Sequence, residues 1–434
     1  MTANSLLLVY ALPAALLLSL YLLAGYRNER RSKAVLAAAR EAGLTEPASL
    51  HPKIDPLLCR GCGACVTACP EGNILGLIDG RAELIEPTLC IGHGACAASC
   101  PFDAISLVFG TEERGVDLPM VGDDFQTNVP GIYIGGELGG MGLIRNAIEQ
   151  GRQALAAIYE QHGVGRSDML DVAIIGAGPA GISASLAAIE RNLRSVTLEQ
   201  DTLGGTVAHF PRGKLVMTQP AHLPLIGKVK FREVSKEKLL DFWRGVEKKT
   251  GLRINYNERV HKIVRLNGGF EVSTTRAVYH SRSVLLAIGR RGTPRKLGVP
   301  GEEQEKVVYR LVDAEQYRGQ NVLVVGGGDS ALETAASIAE EPGTTVTLSY
   351  RSEAFSRAKL KNRKRVEAAN DTGRLEILLK SSVVRIEPKH VEIEQMGRHR
   401  SIANDAIIVC AGGILPTGFL KSIGIEIETK YGTA

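Results

Sequence analysis

Seven of the chain's eight cysteines fall within a few dozen residues, and their spacing points to metal chemistry. Cys59, Cys62, Cys65 and Cys69 form a Cys-x2-Cys-x2-Cys-x3-Cys-Pro run, CRGCGACVTACP. An imperfect copy follows at 90–101, CIGHGACAASCP, with cysteines at Cys90, Cys96 and Cys100. Thiolates two residues apart on a glycine-containing loop can converge on neighbouring corners of one iron–sulfur cluster. The fourth cysteine of such a run lies too far along the chain and crosses to the other cluster. This logic predicts one cluster on Cys59, Cys62, Cys65 and Cys100. The second takes Cys69, Cys90 and Cys96, and its remaining corner falls at His93. Three readings of His93 stand: it ligates iron and raises that cluster's potential, it leaves a three-iron cluster with an open corner, or it stands beside a lost cluster. A disulfide framework or a zinc site would not call for two tandem runs that each end in Cys-Pro.

Such clusters move electrons singly, so the rest of the chain is to be read as parts that position and supply them. The double run resembles the bacterial ferredoxin pattern for two cubane clusters and occupies about 53–110. The whole chain has 434 residues, 44% hydrophobic residues and 48 glycines, enough for several folded α/β domains with nucleotide-binding loops. A net charge of +5, with basic residues dispersed among nearly as many acids, gives no reason to expect a nucleic-acid partner.

The N-terminus is of different character. Residues 6–24 (LLLVYALPAALLLSLYLLA) are almost wholly apolar and predict a helix able to span a bilayer core of about 30 Å. Pro13 is tolerable in such a helix. Arg27, Arg30, Arg31 and Lys33 follow, and no basic residue precedes. The positive-inside rule then predicts one uncleaved anchor in the cell inner membrane, with soluble domains facing the cytoplasm. Reduced thiols and a nicotinamide supply suit that compartment.

Two glycine fingerprints follow. DVAIIGAGPAGISASLAA places a buried strand before Gly176, Gly178, Pro179, Ala180 and Gly181, which open a helix. Glycines there let the backbone approach a pyrophosphate at the helix N-terminus. The acid expected about 20 residues on is Glu199, placed for an adenosine ribose. NVLVVGGGDSALETAASIAE repeats the arrangement with Gly326, Gly328, Asp329, Ser330 and Ala331. Its next strand ends in Tyr350 and Arg351 rather than an acid, and Arg357 and Lys359 come soon after. A missing acid beside arginines favours a 2′-phosphate, hence NADPH over NADH. A solvated helix face is the competing reading of the basic run to 365.

This tandem resembles the two-dinucleotide-domain flavoproteins, in their thioredoxin-reductase-like branch, over most of 116–434. LLAIGRRGTPRKLGVPGE, with Gly289, is similar to that family's crossover between domains, and AIIVCAGGILPTGFLKSIGIEIE to its return strand. Leu203, Gly204, Gly205 and Thr206 resemble the loop near the flavin. The resemblance implies FAD at the first fingerprint and NADP(H) or NAD(H) at the second, and a homodimer by analogy. Two departures stand out. The dithiol Cys-x-x-Cys of thioredoxin reductases is absent, since VVYRLVDAEQYRGQ precedes the second fingerprint without a cysteine, and Cys410 lies alone on an apolar strand. The nearer relatives are then ferredoxin–NADP reductases of this fold and bacillithiol-disulfide-reductase-like proteins. Secondly, TNVPGIYIGGELGGMGLIRNAIEQG, which resembles the family's closing segment, lies at 127–151, ahead of the first fingerprint. Circular permutation is the simplest account. Gly136, Glu137 and Met141 would then lie beside the flavin, with helix amides stabilising negative charge on the reduced ring.

The expected architecture is α/β: two Rossmann-like dinucleotide domains, a small α+β ferredoxin-like domain and one transmembrane helix. The expected boundaries are 1–26 anchor, 27–52 juxtamembrane helix and linker, 53–110 cluster domain and 111–165 flavin-covering segment. The FAD domain follows at 166–300, the NAD(P)H domain at 301–402 and the return segment at 403–434. The expected activity passes electrons between NAD(P)H, FAD and two clusters, one of them [4Fe-4S] and one [4Fe-4S] or [3Fe-4S]. The far partner is a one-electron carrier, a quinone or a membrane redox complex. A cluster-fed reductase of a small disulfide or other organic substrate is the rival, and a redox sensor the third reading. No acid–base dyad or nucleophile stands out; His209 is a candidate for proton handling or a structural residue, and His222 carries less weight.

Overall fold

The computed structural model describes residues 3–432 apart from 48–49, 91, 113–114, 141, 162–168, 211, 218–219, 232–233, 291, 357, 359 and 415. It describes the backbone but not the side chains of 3–11, 215 and 293. The chain divides into two compact units: residues 1–113 with 353–360 and 432–434, and residues 114–352 with 361–431.

In the first unit a single helix, Ala3–Glu41, carries Pro13 inside it and runs unbroken through Arg27 to Lys33. This corrects the membrane expectation. Among the described residues no helix is long and apolar enough to cross a membrane. The helix that carries the apolar residues does not end with them but runs on through Arg27, Arg30, Arg31 and Lys33 to Glu41. A single-pass inner-membrane placement is thereby withdrawn. The basic half of the helix instead packs on the cluster domain: a Cβ on Gly76 would stand 2.5 Å from the hydroxyl of buried Ser32. Lys33 bridges Glu29 (2.8 Å) and Asp79 (2.7 Å) on the same side.

The cysteine-bearing domain is small, and its interior combines cysteines with aliphatic residues. Strand His51–Ile54 pairs antiparallel with Ile105–Val108, and Leu75–Ile78 with Arg81–Leu84. Two short helices, Ala64–Ala68 and Ala95–Ala98, each follow a left-handed glycine, Gly63 (φ 75°) and Gly94 (φ 77°). Cys65, Cys96, Leu75 and Ala82 form the core between them.

The second unit is built around two large sheets. The first is six-stranded. Leu170–Ile175 lies between Ser195–Leu198 and Val278–Leu286, all parallel, and the antiparallel hairpin Val260–Leu266 and Gly269–Thr274 extends the edge. Where the hairpin leaves strand Val278–Leu286, strand Ile132–Ile134 takes its place, parallel, with Val284 opposite Ile132. The apolar run IYIGG makes this possible: Ile132, Tyr133 and Ile134 are all buried, as a strand covered on both faces requires. Helix Ile144–Tyr159 then packs along the first-fingerprint helix Pro179–Glu190 through Ala147, Ala154, Leu155 and Ile158. Strand Val116–Pro119 pairs antiparallel with Ile427–Lys430, so the two ends of the flavin-side fold meet.

The second sheet is wholly parallel, in the order Val307–Val308, Ala406–Val409, Asn321–Val325, Thr345–Tyr350, Leu375–Leu379. A three-stranded antiparallel sheet, Ser381–Ile386, His390–Gln395 and Arg398–Ala403, packs against it.

Candidate functional site

The first fingerprint is a turn that only glycine can make. Gly176 has φ 107°, and a Cβ there would stand 2.4 Å from the Ala287 carbonyl oxygen. A Cβ on Gly181 would lie 1.8 Å from the Gly176 oxygen, so helix and strand are in direct backbone contact. Gly178 differs. It caps the helix in extended conformation, Pro179 occupies the first helical position, and a Cβ on Gly178 would meet nothing closer than the Gly204 oxygen at 4.0 Å. That opening at a helix N-terminus is what a pyrophosphate needs, and FAD fits there.

Other predicted residues gather around it. Gly204 donates its N–H to Ala177 O (2.9 Å), and Gly205 approaches Gly178 closely enough that a Cβ would lie 3.3 Å from its Cα. A Cβ on Gly289 would stand 3.7 Å from the Thr206 hydroxyl. Gly136, with φ 89°, lies against Ala180, to which a Cβ would come within 3.0 Å, and its N–H is accepted by Gln150 Oε1 at 2.9 Å. The segment placed early in the sequence thus reaches the first fingerprint. Glu137 begins a short 3-10 turn, Glu137–Gly139; Met141 lies outside the described residues. Glu199 is buried and accepts the Ala177 N–H (2.7 Å) and the Asp201 N–H (2.9 Å). Burial pushes its carboxyl above the usual carboxylate range against those two bonds.

Sequence reasoning passed over Arg290. Its guanidinium donates to Asp117 O (3.2 Å) and lies in the field of Glu137 and Asp117, while desolvation draws its pKa down. Its neighbour Gly289 was the only signal. His209 is engaged through both ring nitrogens, Nε2 with Asp201 (3.0 Å) and Nδ1 with Arg310 (2.5 Å), an arrangement that holds a loop in place. His222 is exposed on strand Ala221–Leu223.

The second fingerprint repeats the turn. Gly326 has φ 141°, with a Cβ position 2.5 Å from the Cys410 oxygen. Gly328 caps helix Asp329–Ala339 with open space around its Cβ position, so a dinucleotide pyrophosphate fits. The Tyr350 ring lies against Gly327, where a Cβ would stand 2.4 Å from it. Arg351 is exposed at the end of its strand; Arg357 and Lys359 lie outside the described residues. Helix Leu360–Asp371 is not a wholly solvated face: Asn362 is buried and donates to Asp329 (2.8 Å) and Glu333 (3.1 Å). Ser330 takes the second position of the fingerprint helix. Cys410 packs near Thr334, 3.9 Å away.

In the first unit, Cys59, Cys62, Cys65 and Cys100 line one cavity with Arg60, Gly61, Ala82 and Phe102. The N–H of Ala82 donates to Cys59 Sγ and that of Ala104 to Cys100 Sγ, each at 3.4 Å. Such bonds favour thiolate, as iron ligation requires. Cys90 lies in the electrostatic field of Cys96 and Cys69, and Cys96 in that of Cys69 and Cys100. Burial pushes the Cys90 thiol up to about 11 and raises those of Cys65 and Cys96. Both donor sets suit iron–sulfur clusters. Among the described residues no three His, Cys, Asp or Glu close on a single metal ion; a cubane needs no such convergence, because its thiolates bind separate irons.

Two dinucleotide turns on parallel sheets, joined to a cysteine domain, define a nucleotide-dependent redox flavoprotein. The chain belongs to the pyridine nucleotide-disulphide oxidoreductase family, whose model matches residues 173–433; a 4Fe-4S dicluster domain matches 51–101. It is 30% identical to a ferredoxin–NADP reductase of Picrophilus torridus over 270 residues, covering 59% of this chain and 77% of that protein. A ferredoxin–NADP reductase of Pediococcus pentosaceus is 28% identical over 272 residues, covering 61% and 80%. Among solved structures, a bacillithiol disulfide reductase of Staphylococcus aureus matches with a TM-score of 0.55 and 25% identity, covering 60% of this chain and 82% of that one. The chain is an FAD-dependent NAD(P)H oxidoreductase with a 4Fe-4S domain.

Proposed function

We propose that this enzyme exchanges electrons between NADPH and a one-electron partner through its flavin and two iron–sulfur clusters. The far partner is a ferredoxin-like carrier, a quinone or a redox complex. The observation that carries the reading is the cysteine cavity of Cys59, Cys62, Cys65 and Cys100 on the same chain as the two nucleotide turns. When bound, FAD supplies the conversion between two-electron nicotinamide chemistry and one-electron cluster chemistry. The chain's own residues hold and tune. Gly178 and Gly328 would leave room for the two pyrophosphates, Arg351 would hold the 2′-phosphate of NADPH, and Arg290 would supply positive charge near Glu137. No side chain is required as nucleophile, in keeping with the missing dithiol.

We further read the flavin domain as circularly permuted, with its closing segment at 111–165 and the cluster domain joined directly to it. The parallel pairing of Ile132–Ile134 with Val278–Leu286 and the antiparallel pairing of Val116–Pro119 with Ile427–Lys430 support this.

Anaerobic titration with NADPH, then NADH, followed by visible absorbance and low-temperature EPR, tests the relay. Flavin bleaching with cluster signals arising within turnover time is the expected result. Flavin reduction beside intact, silent clusters would refute flow in that direction. The similarity to a bacillithiol disulfide reductase favours a second reading, reduction of a small disulfide at the flavin; its mark would be disulfide-dependent NADPH consumption faster than that with one-electron dyes.

A further inference from the structure

We propose that His93 ligates iron through Nδ1 and that Glu71 holds the imidazole in that orientation, so the second cluster is bound by three thiolates and one imidazole. The proposal rests on the reading that the chain carries two clusters.

The backbone carries the first part of the argument. In the first run Gly61 and Gly63 have φ 65° and 75°; in the second Gly92 and Gly94 have φ 78° and 77°. Gly63 and Gly94 also share ψ, 3° and 0°, and each starts a short helix that contains the next cysteine. The two glycines of the second loop thus match those of the first, and His93 stands between them in sequence where Cys62 stands in the first run. Cys62 lines the first cysteine cavity. The His93 side chain is only 16% exposed, more enclosed than the exposed Cys62.

Chemistry selects the nitrogen. Nδ1 is bonded to Cγ and reaches about as far beyond Cβ as a cysteine sulfur and its iron bond require. Nε2 lies across the ring and would overshoot a corner built for thiolate. In the structure Nε2 is already engaged, 3.3 Å from Glu71 Oε1. An imidazole that donates Nε2–H to a carboxylate keeps its lone pair on Nδ1, which is how ligating histidines are commonly oriented. Glu71 follows Cys69 and Pro70 directly, which places it beside a cysteine assigned to the second cluster. An imidazole in place of a thiolate also removes one negative charge from the cluster. The second cluster should then be reduced before the first as the potential is lowered.

The test uses the full chain, purified anaerobically from cells fed 15N-histidine, with iron analysis, redox-poised EPR and pulsed EPR of the reduced protein. The expected result is iron for two four-iron clusters and a directly coupled histidine nitrogen on the signal that appears first. That coupling should vanish in His93→Cys while the iron content stays, and that cluster's signal should then appear at lower potential. Glu71→Gln should keep the iron but shift the nitrogen coupling and the midpoint, and Glu71→Asp should move both back. Full iron without nitrogen coupling, or a three-iron signal that becomes four-iron only in His93→Cys, overturns the ligation. An unmoved coupling and midpoint in Glu71→Gln overturns the positioning role. Iron for one cluster, lost in Cys59→Ser but indifferent to Cys90→Ser, overturns the two-cluster reading beneath it.

Discussion

Adding one methyl group to Gly328 separates folding from nucleotide binding at the second fingerprint. Gly328 has φ −92° and ψ 176°, ordinary extended backbone for alanine, and nothing lies within 4 Å of its Cβ position. Gly328→Ala should therefore leave stability within about 1 kcal/mol, since a compatible Gly→Ala change acts mainly on the unfolded chain. The methyl would project into the opening before helix Asp329–Ala339, where the pyrophosphate must approach. Losing one charge-assisted hydrogen bond there costs about 1.5–3 kcal/mol, which is roughly a 10- to 150-fold rise in KM for NADPH. With uniform binding lost, kcat should change much less than KM. The assay is NADPH-driven reduction of a one-electron dye, with bound FAD per chain measured on the same sample. Gly326→Ala is the contrast: φ 141° and a Cys410 oxygen 2.5 Å from the new Cβ predict about 2–4 kcal/mol of destabilisation, seen as early loss of the nucleotide domain in a thermal scan. A Gly328→Ala enzyme with full FAD and an NADPH KM within about twofold of the parent would show that the dinucleotide does not cross this loop.

Two further outcomes follow from single residues. Arg351→Glu should lower kcat/KM for NADPH by about 10- to 100-fold while changing that for NADH by less than about threefold, because only NADPH carries the 2′-phosphate; an equal loss with both cofactors would return Arg351 to the role of a solvated charge. Burial pushes the Glu302 carboxyl up, but it accepts N–H groups from Leu297 (2.5 Å) and Gly298 (2.7 Å) and the Tyr309 hydroxyl (2.9 Å), which together outweigh that and hold it below the usual range. A depressed folded pKa gives stability that is complete above the unfolded value of about 4.3 and disappears as pH falls through the folded value. Glu302→Gln should thus lower Tm at pH 7 and flatten its fall on the acid side; parallel Tm–pH curves would show that the contacts do not depend on charge.

The chemistry was legible from spacing because it is local. Cysteines two residues apart on glycine loops, and Gly176 or Gly326 at a strand end, act through backbone conformations that neighbouring residues impose. The buried strands and helices around the fingerprints were legible for the same reason. The membrane expectation failed on a different scale. An apolar run was read by its composition, whereas one helix continues through Arg27 to Glu41 and meets Gly76 through Ser32, a contact no hydropathy window contains.

What the sequence determined by itself is the inventory: two thiolate runs with one histidine, two phosphate-binding turns, and a missing dithiol. Tertiary structure alone decided which of these meet. It laid Gly136 against Ala180 from 44 residues away and set the Glu71 carboxylate on His93. It also set both ring nitrogens of His209 against Asp201 and Arg310. The division has one physical cause. A turn's conformation is set by the residues within it, whereas a meeting of distant residues is set by strand pairing and core packing summed over the whole chain.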